Sequence, residues 1–151
     1  IWKRASNWSV NRPFSMRAGP LLGLLLLSSC ASHPRIDRDE LLSDLRSGIS
    51  LASEARLYLQ YAAEGRTSQS FSEGHLHYLA EEANRTEKEL QQAISAAEDT
   101  QTLNDARLQF GALSEQLALM GQSPSDADAR VHSMRQLTKI CKAMEEAKGS
   151  L

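Results

Sequence analysis

Apolar residues recur along most of this chain in alternating steps of four and three. Leu41, Leu45, Gly48, Ala52, Ala55, Leu59 and Ala62 form one series. Leu76, Leu79, Ala83, Thr86, Leu90, Ala93 and Ala97 form a second, and Leu103, Ala106, Phe110, Leu113, Leu117 and Met120 a third. A fourth is looser: Val131, Met134, Leu137, Cys141 and Met144, flanked by Ile140 and Ala147. Such spacing places one apolar stripe on each of four helices. The first two stripes are rich in small residues, so those helices are expected to approach closely.

Local signals punctuate the stripes. Asp37 with Glu40, and Ser70 with Glu73, read as capping boxes, with a side-chain acceptor at the cap and a carboxylate three residues on. Thr102 with Asp105 is a weaker version, and Ser123 places a cap before Pro124. Gly65, Gly121 and Gly149 suit the position just past a helix end. Only the break near residues 99–101 lacks glycine or proline. The pattern predicts helices at roughly 37–64, 71–99, 103–120 and 124–148, joined by short loops that favour antiparallel neighbours. The expected fold is all-α, an antiparallel up-down-up-down four-helix bundle within residues 37–149. The alternative is a merger of the second and third helices into one longer, bent rod.

Composition agrees with helices: of 151 residues, only 5% are aromatic, and glycine and proline are few. Charge adds something new. Lys3, Arg4, Arg12 and Arg17 precede Cys30 and no acid does, which leaves 13 bases against all 19 acids in the remainder, a net −6. An acidic body without a basic stripe argues against nucleic acid as a partner. A basic start before an acidic body is what an exported protein shows.

Between them lies LLGLLLLSSC, residues 21–30. The run is too short to span a bilayer comfortably, which takes about 20 apolar residues. It has the length of a signal-peptide core, with Arg17 as charged lead-in. Its end, Leu27-Ser28-Ser29-Cys30, resembles the lipobox of bacterial lipoproteins: an aliphatic residue, two small residues, then cysteine. The resemblance covers Met16 to Cys30 and no specific family is recognised for the helical body. It implies a signal peptide over 16–29, a diacylglyceryl group on the Cys30 thiol, and a mature chain that begins there, tethered to a membrane of the bacterial cell envelope. Two or more acyl chains suffice for stable anchoring, where one does not. Alternatives are an ordinary secretory signal cut near Ala31, or an uncleaved anchor or buried helix. Residues 1–15 lack periodicity and are expected to be disordered or an upstream extension. Residues 30–36 are expected to be a linker. In Gram-negative lipoproteins an Asp after the cysteine commonly retains the protein at the inner membrane. Here that residue is Ala31, so the resemblance favours the periplasmic side of the outer membrane.

Motifs for catalysis or metal binding are sparse. A di-iron bundle needs Glu three residues before His, and Ser72, Gly74 and Ala129 precede His75, His77 and His132 instead. Glu73, His77, Glu81 and Arg85 share a helix face, as do Asp128 and His132, and both rows read first as ordinary polar ladders. Met120, Met134 and Met144 read as core filler rather than metal ligands. With Cys30 lipidated, Cys141 stands alone, expected to be buried and inert, with pairing between chains as the alternative. No Ser-His-Asp motif, phosphate loop or HExxH appears. The expectation is therefore no enzyme, no cofactor and no metal.

Most of the aromatic residues of the body are concentrated near the first hairpin, where Tyr58, Tyr61, Phe71, His75 and Tyr78 fall. Two readings stand. They plug the end of the bundle, or they form a tip that binds another envelope protein, since exposed Tyr and Phe are common interface anchors. The first functional expectation is a lipid-anchored adaptor or scaffold acting through helix-mediated contacts. The alternative is a small-ligand- or metal-binding bundle acting as sensor or buffer.

Overall fold

The computed structural model describes residues 34–122 and 126–151. Cys30, the expected signal segment and residues 1–15 lie outside the described residues, as does the Ser123–Pro124 cap signal. Four helices form the described body: α1 (Arg38–Ala63), α2 (Gln69–Gln92), α3 (Thr100–Gln122) and α4 (Ala127–Gly149). Each packs on its neighbours in chain order, and α4 closes the ring on α1. This is the four-helix bundle that the stripes predict. Contact is most extensive between α2 and α3 and between α1 and α4, and least between α1 and α2 among adjacent pairs.

The stripes of α1 and α3 are buried as expected, apart from Ala62, which is half-buried. Small residues on α1 let the other helices close in across the bundle. A Cβ added at Gly48 would lie 2.8 Å from Phe110 Cζ on α3 and 2.7 Å from Met144 Sδ on α4. The stripe of α4 runs along a different line from the expected one. Its buried positions are Ser133, Leu137, Ile140, Met144 and Ala147, while Val131 is half-exposed and Met134 and Cys141 are partly buried. The polar member hid this register: Ser133 is tolerated in the core because Gln116 Nε2 donates to its Oγ at 2.8 Å.

The caps also depart from expectation. Asp37 accepts from the Glu40 amide at 2.8 Å as predicted. The cap of α2 is Ser68, not Ser70, and accepts from the Phe71 amide. Thr102 does not cap α3. It is buried inside that helix, 3.2 Å from Ser150 Oγ. Asp126 caps α4 through the Ala129 amide. Gly65 has φ +68° and ends α1 with paired bonds from Gly65 N to Ala62 O and Arg66 N to Tyr61 O, an end that an L side chain would strain. Gly121 and Gly149 instead lie within the last turns of α3 and α4.

Helix α2 stops at Gln92, well short of 99, and does not merge with α3. Two long-range contacts make the break. Ile94 pairs with the chain before α1, donating to Pro34 O at 3.0 Å and accepting from Ile36 N at 3.1 Å. Arg107 on α3 reaches Leu90 O at 2.8 Å and Ala93 O at 2.7 Å. A short 3₁₀ turn, Ala97–Asp99, then leads into α3 and leaves Ala97 exposed. The same pairing means that Pro34–Ile36 is not a free linker, since Ile36 is buried with the core.

Candidate functional site

The hairpin between α1 and α2 owes its shape to the left-handed turn at Gly65 and the Ser68 cap. Beneath it Tyr58 is 7% exposed. Its hydroxyl donates to Ser72 Oγ at 3.0 Å, Ser72 donates to Ser68 O at 2.9 Å, and Thr67 Oγ1 lies 3.0 Å from the same serine oxygen. Every polar atom of this small network is thus partnered, which is what permits it to be buried. Tyr58 is the plug of this end.

The other rings extend outward from it along α2. The Tyr58 ring centre lies 5.9 Å from Phe71 and 4.7 Å from His75. Phe71 and His75 are nearly parallel at 5.9 Å, and His75 is 6.4 Å from Tyr78. Phe71 is 61% exposed and Tyr78 54%. His75 Nε2 meets Glu54 Oε1 of α1 at 3.1 Å, so the row is tied to both helices. Tyr61 stands apart, covered by the Arg66 guanidinium at 4.4 Å from its ring centre. The structure therefore joins four of the five expected aromatic and imidazole groups in one row and divides their roles. Tyr58 is buried, and Phe71 and Tyr78 face solvent.

Sequence reading missed Glu54 and Ser72. The signal was available in the spacing. Phe71, His75, Tyr78 and Glu82 repeat the four-three step of the core line Ser72, Leu76, Leu79 and Ala83, one residue out of phase. Helix α2 thus has two adjacent stripes, one buried against the bundle and one largely turned outward.

His77 pairs with Glu81 at 3.2 Å on an exposed face, while Glu73 accepts from Gln69 and Arg85 pairs with Glu82. His132 lies beside Gln136 at 3.4 Å. Met120 and Met144 are buried in the core. Cys141 Sγ is half-buried, 3.9 Å from both Ile49 O and Ser53 Oγ of α1, so the expected full burial is corrected. At the end opposite the hairpin, a cavity of about 230 Å³ is lined by Pro34, Arg35, Ile36, Glu40, Asp44 and Glu89, among others. Burial there, with the nearby charges of Glu40 and Glu89, pushes the Asp44 carboxyl up to about 6. Among the described residues, no three His, Cys, Asp or Glu side chains are arranged to hold a metal ion. No helix of the described residues is long and apolar enough to cross a membrane. No protein-family model matches this chain, and no curated protein or solved structure matches it either.

Proposed function

We propose that this protein is a lipid-anchored adaptor of the bacterial cell envelope, tethered through Cys30 and engaging another envelope protein with the Phe71–His75–Tyr78 row. The observation that carries the reading is the exposure of Phe71 and Tyr78 beside a fully partnered Tyr58. Aromatic rings held on a rigid helix lose little entropy on docking and commonly anchor protein interfaces. The anchor half of the proposal rests on the lipobox-like Leu27-Ser28-Ser29-Cys30. In a two-membrane envelope, Ala31 after the cysteine favours the periplasmic face of the outer membrane.

The tether and the row suit each other. Four peptide links separate Cys30 from Pro34, a reach of about 14 Å. Pro34–Ile36 is fastened at the opposite end of the bundle from Gly65. Along α1, the 20 residue steps from Arg38 to Tyr58 rise about 30 Å. The aromatic row lies at the end of the bundle remote from Pro34, the first described residue after Cys30.

The test is affinity capture from envelope membranes with the native chain and with a Phe71→Ser/Tyr78→Ser variant. The expected result is a defined partner, retained by the native chain and depleted at least tenfold with the variant, whose melting temperature is unchanged. Equal recovery with both chains would overturn the adaptor reading.

A further inference from the structure

We propose that Pro34–Ile36 is a pH-gated strap, closed on Ile94 while the Asp44 carboxyl beneath it is protonated and released when that carboxyl ionises. The inference needs neither a lipid on Cys30 nor the aromatic row, since every group in it belongs to the described bundle.

Geometry carries it first. The strap is fastened by two hydrogen bonds, Ile36 N to Ile94 O at 3.1 Å and Ile94 N to Pro34 O at 3.0 Å, and by the buried side chain of Ile36. Its residues form one wall of the 230 Å³ cavity, and Glu40 and Asp44 of α1 and Glu89 of α2 stand on the others. Closing the strap therefore withdraws Asp44 from water and holds it beside two more carboxylates. The helices on either side have fastenings of their own. Asp37 caps α1 through the Glu40 amide, and Arg107 holds the end of α2 through Leu90 O and Ala93 O. The strap can leave without unwinding either helix, with its hinge between Ile36 and Asp37.

Charge sets the direction. Burial first, then Glu40 and Glu89, lifts the Asp44 carboxyl from 3.8 to about 6. The surrounding bases do not offset this. Among the described residues, Arg35 of the strap is the one base that lines the cavity, and it is exposed. Arg85 lies 4.0 Å from Glu89, and Arg107 of α3 is committed to two carbonyls and Asn104. No described residue of α3 or α4 lines the cavity. An open strap returns Asp44 to water, so protonation favours the closed form and ionisation the open one. Opening adds about 10 Å to the reach of the chain that precedes Pro34.

The test is amide hydrogen exchange of the full chain from pH 4.5 to 7.5, corrected for the intrinsic pH dependence of exchange. It is read at Ile36 and Ile94, the two donors that fasten the strap, and at Leu113 in the core. An Asp44→Asn chain is run beside it. Ile36 and Ile94 should be less protected than Leu113 at every pH. Their protection should fall at least about fivefold over this range, against a ceiling of about 25-fold for full return of Asp44 to its ordinary value, and should level off above about pH 6. The asparagine chain should change by less than about twofold. Protection that does not fall, falls undiminished up to pH 7.5, or falls equally in the asparagine chain removes Asp44 as the gate and overturns the proposal. Protection at Ile36 and Ile94 that matches Leu113 throughout makes the opening global and overturns it as well.

Discussion

Tyr58 donates its hydroxyl to Ser72 Oγ at 3.0 Å and so joins α1 to α2 beneath the hairpin. That bond separates the ring that stabilises from the rings that are free to bind. Tyr58→Phe should cost about 1 kcal/mol, the usual worth of one hydrogen bond, and Tyr58→Ala about 3 kcal/mol. Phe71→Ser and Tyr78→Ser, at positions 61% and 54% exposed, should each change stability by no more than about 0.5 kcal/mol. Urea unfolding of the four variants checks this. A large loss at Phe71 or Tyr78 would make the whole row a plug.

Gly48 marks a close crossing in the core. Alanine is the better helix former by about 1 kcal/mol. Here its methyl would meet Phe110 and Met144 inside contact distance. Overpacking of this kind costs about 1–3 kcal/mol, so Gly48→Ala should destabilise by about 1 kcal/mol on balance. Met144→Ala removes one of the two obstructions and should lower the cost of Gly48→Ala in that background, with the Phe110 contact left in place. A double-mutant cycle by urea unfolding reads the coupling.

Arg107 ends α2 from another helix. It donates to Leu90 O, Ala93 O and Asn104 Oδ1. Arg107→Ala strips the two carbonyls of their charged donor and should cost about 2 kcal/mol. Lysine lacks the planar fork and should recover less than half of that loss. Amide hydrogen exchange should show the loss of protection concentrated in the last turn of α2.

Asp44 makes stability depend on pH. Its folded-state value, about 6, lies above the ordinary carboxylate value of 3.8, so folding favours the protonated form. That contribution is present below pH 3.8 and is lost as pH rises through about 6. Asp44→Asn keeps the neutral form throughout. At pH 8 it should be more stable than the native chain by about 1 kcal/mol, the full shift being discounted because the carboxyl is only partly buried and solvent screens it. Near pH 3.5 the difference should shrink to a few tenths of a kcal/mol. An equal gain at both pH values would contradict this origin.

The contrast between what the sequence disclosed and what it hid follows the range of the interactions. The α1 and α3 stripes, the Asp37 cap and the Gly65 turn are local patterns, and they stand where the spacing put them. The end of α2 is set by Ile94 pairing with Pro34–Ile36 and by Arg107, partners 58 and 14 residues or more away in sequence, and no local breaker announces it. The α4 register was hidden because Ser133 looks like a surface residue until Gln116 is seen to satisfy it. At the hairpin, clustering of the rings was legible, but the division between buried Tyr58 and exposed Phe71 depends on which side of each helix meets the other.

Attachment of this bundle to a membrane depends on Cys30. The intact mass of the membrane-extracted full chain, measured beside a Cys30→Ser variant, addresses it directly. The predicted species begins at Cys30, lacks residues 1–29, and carries a diacylglyceryl group, while the serine variant shows none of these. An unacylated chain that retains residues before Cys30 would contradict the anchor, and with it the placement of this bundle at a membrane of the cell envelope.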